Sequence, residues 1–188
     1  MKSIFLSFIS SAILFTVTSC GSDQANASTP DKSVDKTESL VSEPEKAPEA
    51  WRYNEEVDKM DNSTSYFAQT TSTNEIEFDF PYNGGSTFNL FVRNRDKKNE
   101  VFIIVDKGQF MGSISGDRTV RLKFDDEKPF NVTYTGTTDA SSNVIFLGSL
   151  NKVLPKLKTA KKLMVEAEFF NSGNRVIEFN VDGLNWKH

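Results

Sequence analysis

Glu75-Ile76-Glu77-Phe78-Asp79-Phe80 alternates polar and apolar residues without a break. In an extended chain this sets Ile76, Phe78 and Phe80 on one face and three acids on the other. A helix would scatter the same residues around its circumference. The pattern recurs in Phe88, Leu90 and Val92, and in Thr119–Phe124, where Val120, Leu122 and Phe124 alternate with Arg121 and Lys123. Phe130, Val132 and Tyr134 continue it, and Val144 to Phe146 is a further short strand candidate. Leu163 to Phe170 and Arg175 to Val181 read as a hairpin around Asn171-Ser172-Gly173-Asn174. Pro81, Asn83, Gly84 and Gly85 lie between Phe80 and Phe88, so those two runs also read as a hairpin. Val101-Phe102-Ile103-Ile104-Val105 is apolar on both faces, which suits a central strand covered on both sides.

One stretch departs from period two. Leu150, Val153, Leu154 and Leu157 fall at helical spacing within residues 149–162, with Ser149 placed to cap the start. Pro155 must sit in an early turn or kink the segment. The predicted fold is all-β in the main, an antiparallel β-sandwich of roughly seven to nine strands with one short helix over an end. Most of the 16 phenylalanines lie beyond Trp51, enough for a substantial core. With a single cysteine in the chain, no disulfide within the domain supports that core.

The start of the chain has a different character. Met1-Lys2 is positive, Ile4 to Val17 is apolar but diluted by serines, and Thr18 and Ser19 are small. This is the build of a secretory signal. It is too short and too polar for a transmembrane helix of about 20 apolar residues. Val17-Thr18-Ser19-Cys20 resembles the bacterial lipobox. The resemblance implies cleavage after residue 19, a diacylglycerol on the Cys20 sulfur, and acylation (palmitate) of the new amino group. At about 0.8 kcal/mol per buried methylene, three acyl chains hold a protein on a membrane. Gly21 follows the cysteine where an Asp would signal retention, which by the same resemblance points to the outer membrane of a cell that has one.

Residues 20–50 are rich in Ser, Thr, Pro and acids, with only Val34, Leu40 and Val41 as large apolar residues. Such a segment cannot bury enough surface to offset its chain entropy, and it reads as a disordered linker. As a coil it reaches roughly 30 Å, enough to lift a domain off a bilayer. The sequence thus divides into a signal peptide at 1–19, a lipidated linker at 20–50 and a β-sandwich domain at 51–188.

Catalytic constellations are hard to build from this composition. The one histidine, His188, stands at the end of the sequence, and chain ends are commonly mobile. With no second histidine and the cysteine assigned to lipid, neither a His/Cys zinc site nor a His-assisted nucleophile is expected. No metal or other cofactor is expected. Asp125-Asp126-Glu127 after a strand, and Asp58 and Asp61 around Met60, read either as oxygen ligands for calcium or as carboxylates bonding their own backbone in turns. Asp125 and Asp126 stay candidate contacts on that basis. The glycines at 84, 85, 108, 112 and 116 read as turns. Lys152, Lys156, Lys158, Lys161 and Lys162 read as the solvated face of the helix or as a patch for anionic headgroups or an acidic partner. Phe110-Met111, between Gly108 and Gly112, is either an apolar contact patch in a loop or a short edge strand tucked into the sandwich. Arg93 shares a strand face with Phe91, a pairing that either binds a carboxylate or stacks on the surface. The chain carries 22 Lys/Arg against 26 Asp/Glu, a net charge of −4, without the basic footprint of a nucleic-acid binder.

Trp51, Met60-Asp61, Leu90-Phe91-Val92-Arg93, Val120 to Asp126 and the closing Gly183-Leu184 together resemble a group of small exported bacterial β-domains. The layout is similar to the TagO/VasI-type accessory lipoproteins and periplasmic proteins of type VI secretion. That resemblance implies a non-enzymatic envelope domain that assists assembly. The family often has a cysteine after the Leu-x-x-Arg unit. Asn94 stands there in this chain, so the family's disulfide is absent.

Two functions follow as expectations. The first is a membrane-anchored, non-catalytic binding or assembly module with an envelope protein as partner. The second is a small-ligand or glycan-binding lipoprotein using surface aromatics such as Tyr82, Phe91 and Trp186.

Overall fold

A computed structural model describes residues 50–111 and 118–188. The signal segment 1–19, Cys20, the linker to residue 49 and the Gly112 to Asp117 part of the glycine-rich loop lie outside the described residues. No helix among the described residues is long and apolar enough to cross a membrane.

The described chain is mainly β. Its strands are β1 (Arg52–Val57), β2 (Thr64–Thr71), β3 (Ile76–Phe78), β4 (Gly84–Ser86), β5 (Phe88–Arg95), β6 (Lys98–Val105), β7 (Thr119–Phe124), β8 (Phe130–Thr135) and β9 (Val144–Leu147). The helix α1 (Leu150–Leu157) follows, then β10 (Lys162–Phe169) and β11 (Gly173–Asn180). Nine strands form one antiparallel sheet in the order β1-β2-β5-β6-β9-β8-β7-β10-β11, and β3 pairs with β4 alone.

The large sheet folds over on itself at β8. That strand pairs with β7 from Phe130 to Thr133, then with β9 at Tyr134 and Thr135. A front layer (β1, β2, β5, β6, β9) and a back layer (β7, β10, β11) thereby share one core, built from the inward residues of both. The opposite side is also stitched. Ser72, just past β2, bridges Phe179 of β11. The Asn74 side chain accepts from the Glu178 amide (2.8 Å) and donates to the Val176 carbonyl (2.9 Å), standing in for a strand neighbour. Trp51 is buried, and its indole N–H donates to the Val181 carbonyl (3.0 Å).

Phe169 is the hub of the aromatic core. Its ring centroid lies 5.1 Å from Phe78, 5.6 Å from Phe88 and 4.9 Å from Phe110. Gly108 (φ +130°) passes so close to Phe78 that a Cβ there would stand 2.9 Å from the ring. Helix α1 buries Val153 and Leu157 in the same core.

The structure differs from the sequence expectation at three places. Of the alternating run at 76–80, only Ile76–Phe78 forms a strand, and it pairs not with the strand beginning at Phe88 but with Gly84–Ser86; Phe80 lies beyond it and is exposed, while β5 lies between β2 and β6. Ser149 does precede the helix, but in a left-handed conformation (φ 52°) with no side-chain cap; only its carbonyl accepts, from Lys152 and Val153. The hairpin of β1 and β2 had no counterpart among the expected strands. All six residues of β1 are exposed, so no apolar alternation marks it.

Candidate functional site

In a sandwich the outward side chains of each strand meet water and are ordinarily polar. The back layer obeys this, with Thr119, Arg121, Lys123, Glu166, Glu168 and Glu178 facing out, opposite in phase to Val120, Leu122, Val165, Ala167 and Ile177 in the core. Arg121–Glu166 and Lys162–Glu178 are ion pairs on this face.

The front layer does not obey it. Leu90 and Val92 of β5, Val101, Ile103 and Val105 of β6, and Ile145 and Leu147 of β9 enter the core. By alternation, Phe91, Phe102, Ile104, Val144 and Phe146 point the other way, and none of them belongs to the core cluster. The strand register aligns them. Gln69, Phe91, Phe102 and Phe146 face one another across β2, β5, β6 and β9, and Asn89, Ile104 and Val144 form the adjoining row. Phe91 and Phe102 stack with centroids 4.9 Å apart and planes 9° apart; Phe146 follows at 5.1 Å. The flanks shield Phe102 to 6% exposure, whereas Phe91 and Phe146 remain half-buried. Phe146 is tilted 36° to Phe102 and does not continue the parallel stack.

Arg93 lies on this same outward face, as expected. Its guanidinium sits over Phe102 (5.1 Å to the centroid) and Phe146 (5.8 Å). Glu100, directly opposite on β6, takes both its Nε (2.7 Å) and Nη2 (2.5 Å). The carboxylate that an external ligand would offer is already supplied from within. The next outward pair toward the β5–β6 turn is Arg95 and Lys98, set opposite each other, and neither has an ion-pair partner among the described residues. Arg52 of β1 stands at the far end of the aromatic row, opposite Gln69. A recess of about 370 Å³ opens beside Phe146, edged by Arg93, Arg95, Thr137 and Leu150.

The remaining candidates land elsewhere. Phe110 is buried at 6% exposure and makes a single isolated bridge to Phe169, so its ring tucks into the sandwich without forming a strand and offers no surface contact. Met111 is half-buried; its amide donates to the Glu168 carbonyl (2.8 Å) and its carbonyl accepts from the Tyr134 hydroxyl (2.5 Å). It edges a polar cleft with Thr119, Arg121, Asn131 and Glu168. Asp125 is a turn residue (φ 45°). Its carboxylate accepts from the amides of Lys161 (3.0 Å) and Lys162 (2.8 Å), and its own amide donates to the Lys162 carbonyl (3.0 Å). Asp126 is exposed beside it. Asp58 and Asp61 likewise accept from the amides of Met60 and Ser63 within the β1–β2 loop. Among the described residues no three acidic, His or Cys side chains gather around a common point. Two lysines of the basic run are committed, Lys156 to Glu127 and Lys162 to Glu178.

His188 corrects the expectation of a mobile end. Its ring stacks on Tyr66 at 3.8 Å and meets Trp186 edge-on, and its carbonyl accepts from Asn99 (3.1 Å). Asn99 Oδ1 in turn accepts from Asn94 (3.0 Å) and from the Trp186 indole (3.0 Å). Trp186 is thus buried, at 5% exposure, and is no surface aromatic.

The chain matches no protein-family model, no curated protein and no solved structure.

Proposed function

We propose that this chain is a non-catalytic binding or assembly module of the bacterial envelope, held on a membrane by lipid on Cys20, and that it meets its protein partner through the outward face of β5, β6 and β9. The observation that carries this reading is the contrast between the two layers. One outward face is polar and ion-paired, while the other aligns Phe91, Phe102, Ile104, Val144 and Phe146 in register. Contiguous apolar surface rimmed by charge is the build of a protein interface. The resemblance to accessory proteins of type VI secretion points the same way, toward assembly and not turnover.

A glycan-binding role has less support on this face. Sugars pack on exposed ring faces, and here Phe102 is buried while Arg93 lies over the rings of Phe102 and Phe146. The aromatic cleft edged by Tyr53, Tyr66 and Trp186, about 370 Å³, keeps a small-ligand role as the second reading, although His188 covers one face of Tyr66.

The test is crosslinking pull-down of the full chain in its own cells. A Phe91→Ser, Phe146→Ser variant should lose the partner that the wild type captures, with its melting transition still cooperative. Unchanged capture would refute use of this face.

A further inference from the structure

Resting on that reading, we infer that the partner is an acidic, amphipathic protein segment, apolar along one side and carrying carboxylates beside it. The chain as a whole is negative, at −4. The outward face of the front layer runs against that trend. Arg52, Arg93, Arg95 and Lys98 all project from it, against Glu56 and Glu100, and Glu100 is spent on Arg93. Asp96 and Lys97 form the turn beside Arg95 and Lys98 and cancel each other.

The placement of Arg95 and Lys98 is the specific signal. Like charges directly opposite on neighbouring strands repel, and a sheet that keeps such a pair carries an unfavourable contact. An anion shared between them relieves it. The two lie one outward step beyond the Arg93–Glu100 pair and two beyond the Phe91–Phe102 pair, and Arg95 borders the recess beside Phe146. A segment whose apolar side chains cover Phe91, Phe102 and Phe146 would bring a flanking carboxylate to Arg95 and Lys98. Glu100 blocks the same role for Arg93, so the anion is expected at the outer pair. The apolar ladder supplies contact area, and the basic pair supplies orientation and exclusion of wrong partners.

Three labelled peptides test this by fluorescence anisotropy with the purified full chain: leucine alternating with glutamate, with serine, and with lysine. Vesicles of phosphatidylglycerol serve as the lipid comparison. The glutamate peptide should bind roughly tenfold or more tighter than the lysine peptide, and added salt should erode the difference. Arg95→Glu, Lys98→Glu should remove the preference while leaving serine-peptide binding in place. Phe91→Ser, Phe146→Ser should remove binding of all three. If the face variant abolishes binding but charge reversal leaves the glutamate preference intact, the docking face stands and its acidic partner chemistry is overturned. If neither variant affects binding, or no peptide binds, the docking reading itself fails. Vesicle binding lost in both variants, without peptide binding, would assign the face to anionic lipid and overturn the proposal.

Discussion

Phe91 and Phe102 stack face to face across β5 and β6, 4.9 Å apart and 9° from parallel, on the side of the sheet that turns away from the core. This pair gives the front layer its unusual outer surface. Cross-strand aromatic contacts of this kind stabilise a sheet by about 0.2–1 kcal/mol each. That range is small beside the burial of three phenylalanines on the side of the sheet away from the core.

Phe88 is fully buried between the layers, so Phe88→Ala should cost about 3–5 kcal/mol. Phe91→Ser should cost about 1 kcal/mol, the scale of one cross-strand contact. Urea unfolding of both variants checks the ratio. Equal losses would mean that the ladder serves the fold as much as the core does.

Asp125 and Asp126 should separate sharply. Asp125→Ala removes the acceptor for the amides of Lys161 and Lys162 and leaves alanine in a left-handed conformation, a loss of about 1–3 kcal/mol. Asp126→Ala, at an exposed position with no such bonds, should stay within about 0.5 kcal/mol. Added calcium should leave both midpoints unchanged. A calcium-dependent rise in the wild type, lost in either variant, would restore the ligand role.

Gly148 meets the back of β8. A Cβ there would lie 2.7 Å from Thr133 Oγ1 and 2.9 Å from the Thr133 carbonyl oxygen, and backbone cannot swing aside. Gly148→Ala should destabilise by about 1–3 kcal/mol. Thr133→Ala in the same chain should recover only part, because the carbonyl contact persists. Thermal melts of the single and double variants decide it.

The loop at 137–141 carries a pH dependence of known sign. The Thr137 hydroxyl first, and then the Ser141 amide, bond the Asp139 carboxylate and hold its pKa below the ordinary 3.8. The folded-state pKa is depressed. The loop's contribution is therefore present above the ordinary carboxylate range and is lost as pH falls through the lowered value. Carboxyl-carbon NMR titration should place Asp139 below the ordinary carboxylate value of 3.8, and Thr137→Val should raise it.

The sequence made strands legible where large apolar side chains alternate into the core, because their burial writes a period of two; β2, whose inward residues include the small Ala68 and the polar Thr70, did not show it. The runs of β7, β8, β9, β10 and β11 all stand near where alternation placed them. β1 escaped because Arg-Tyr-Asn-Glu-Glu-Val buries no side chain and exists by pairing with β2. The partner of β3 escaped for a related reason. Two alternating runs look equally suited to pair, and only the tight return at Gly84 (φ +98°) decides between them. The outer face was half legible. Val101 to Val105 showed an apolar residue on each side, but the alignment of Phe102 with Phe91 and Phe146 depends on register between strands distant in sequence. Arg93 was found through its neighbour Phe91, while the internal claim of Glu100 upon it was not visible. Nothing local announced that His188 would stack on Tyr66.

Site-resolved photocrosslinking tests the central claim most directly. A photoreactive residue replaces Phe91 on the front layer or Glu168 on the back layer of the full chain, and adducts are sequenced. The account predicts one discrete protein adduct from position 91, absent from position 168, joined through a segment with apolar residues flanked by Asp or Glu. No adduct at 91, or the same adducts from both positions, would contradict it.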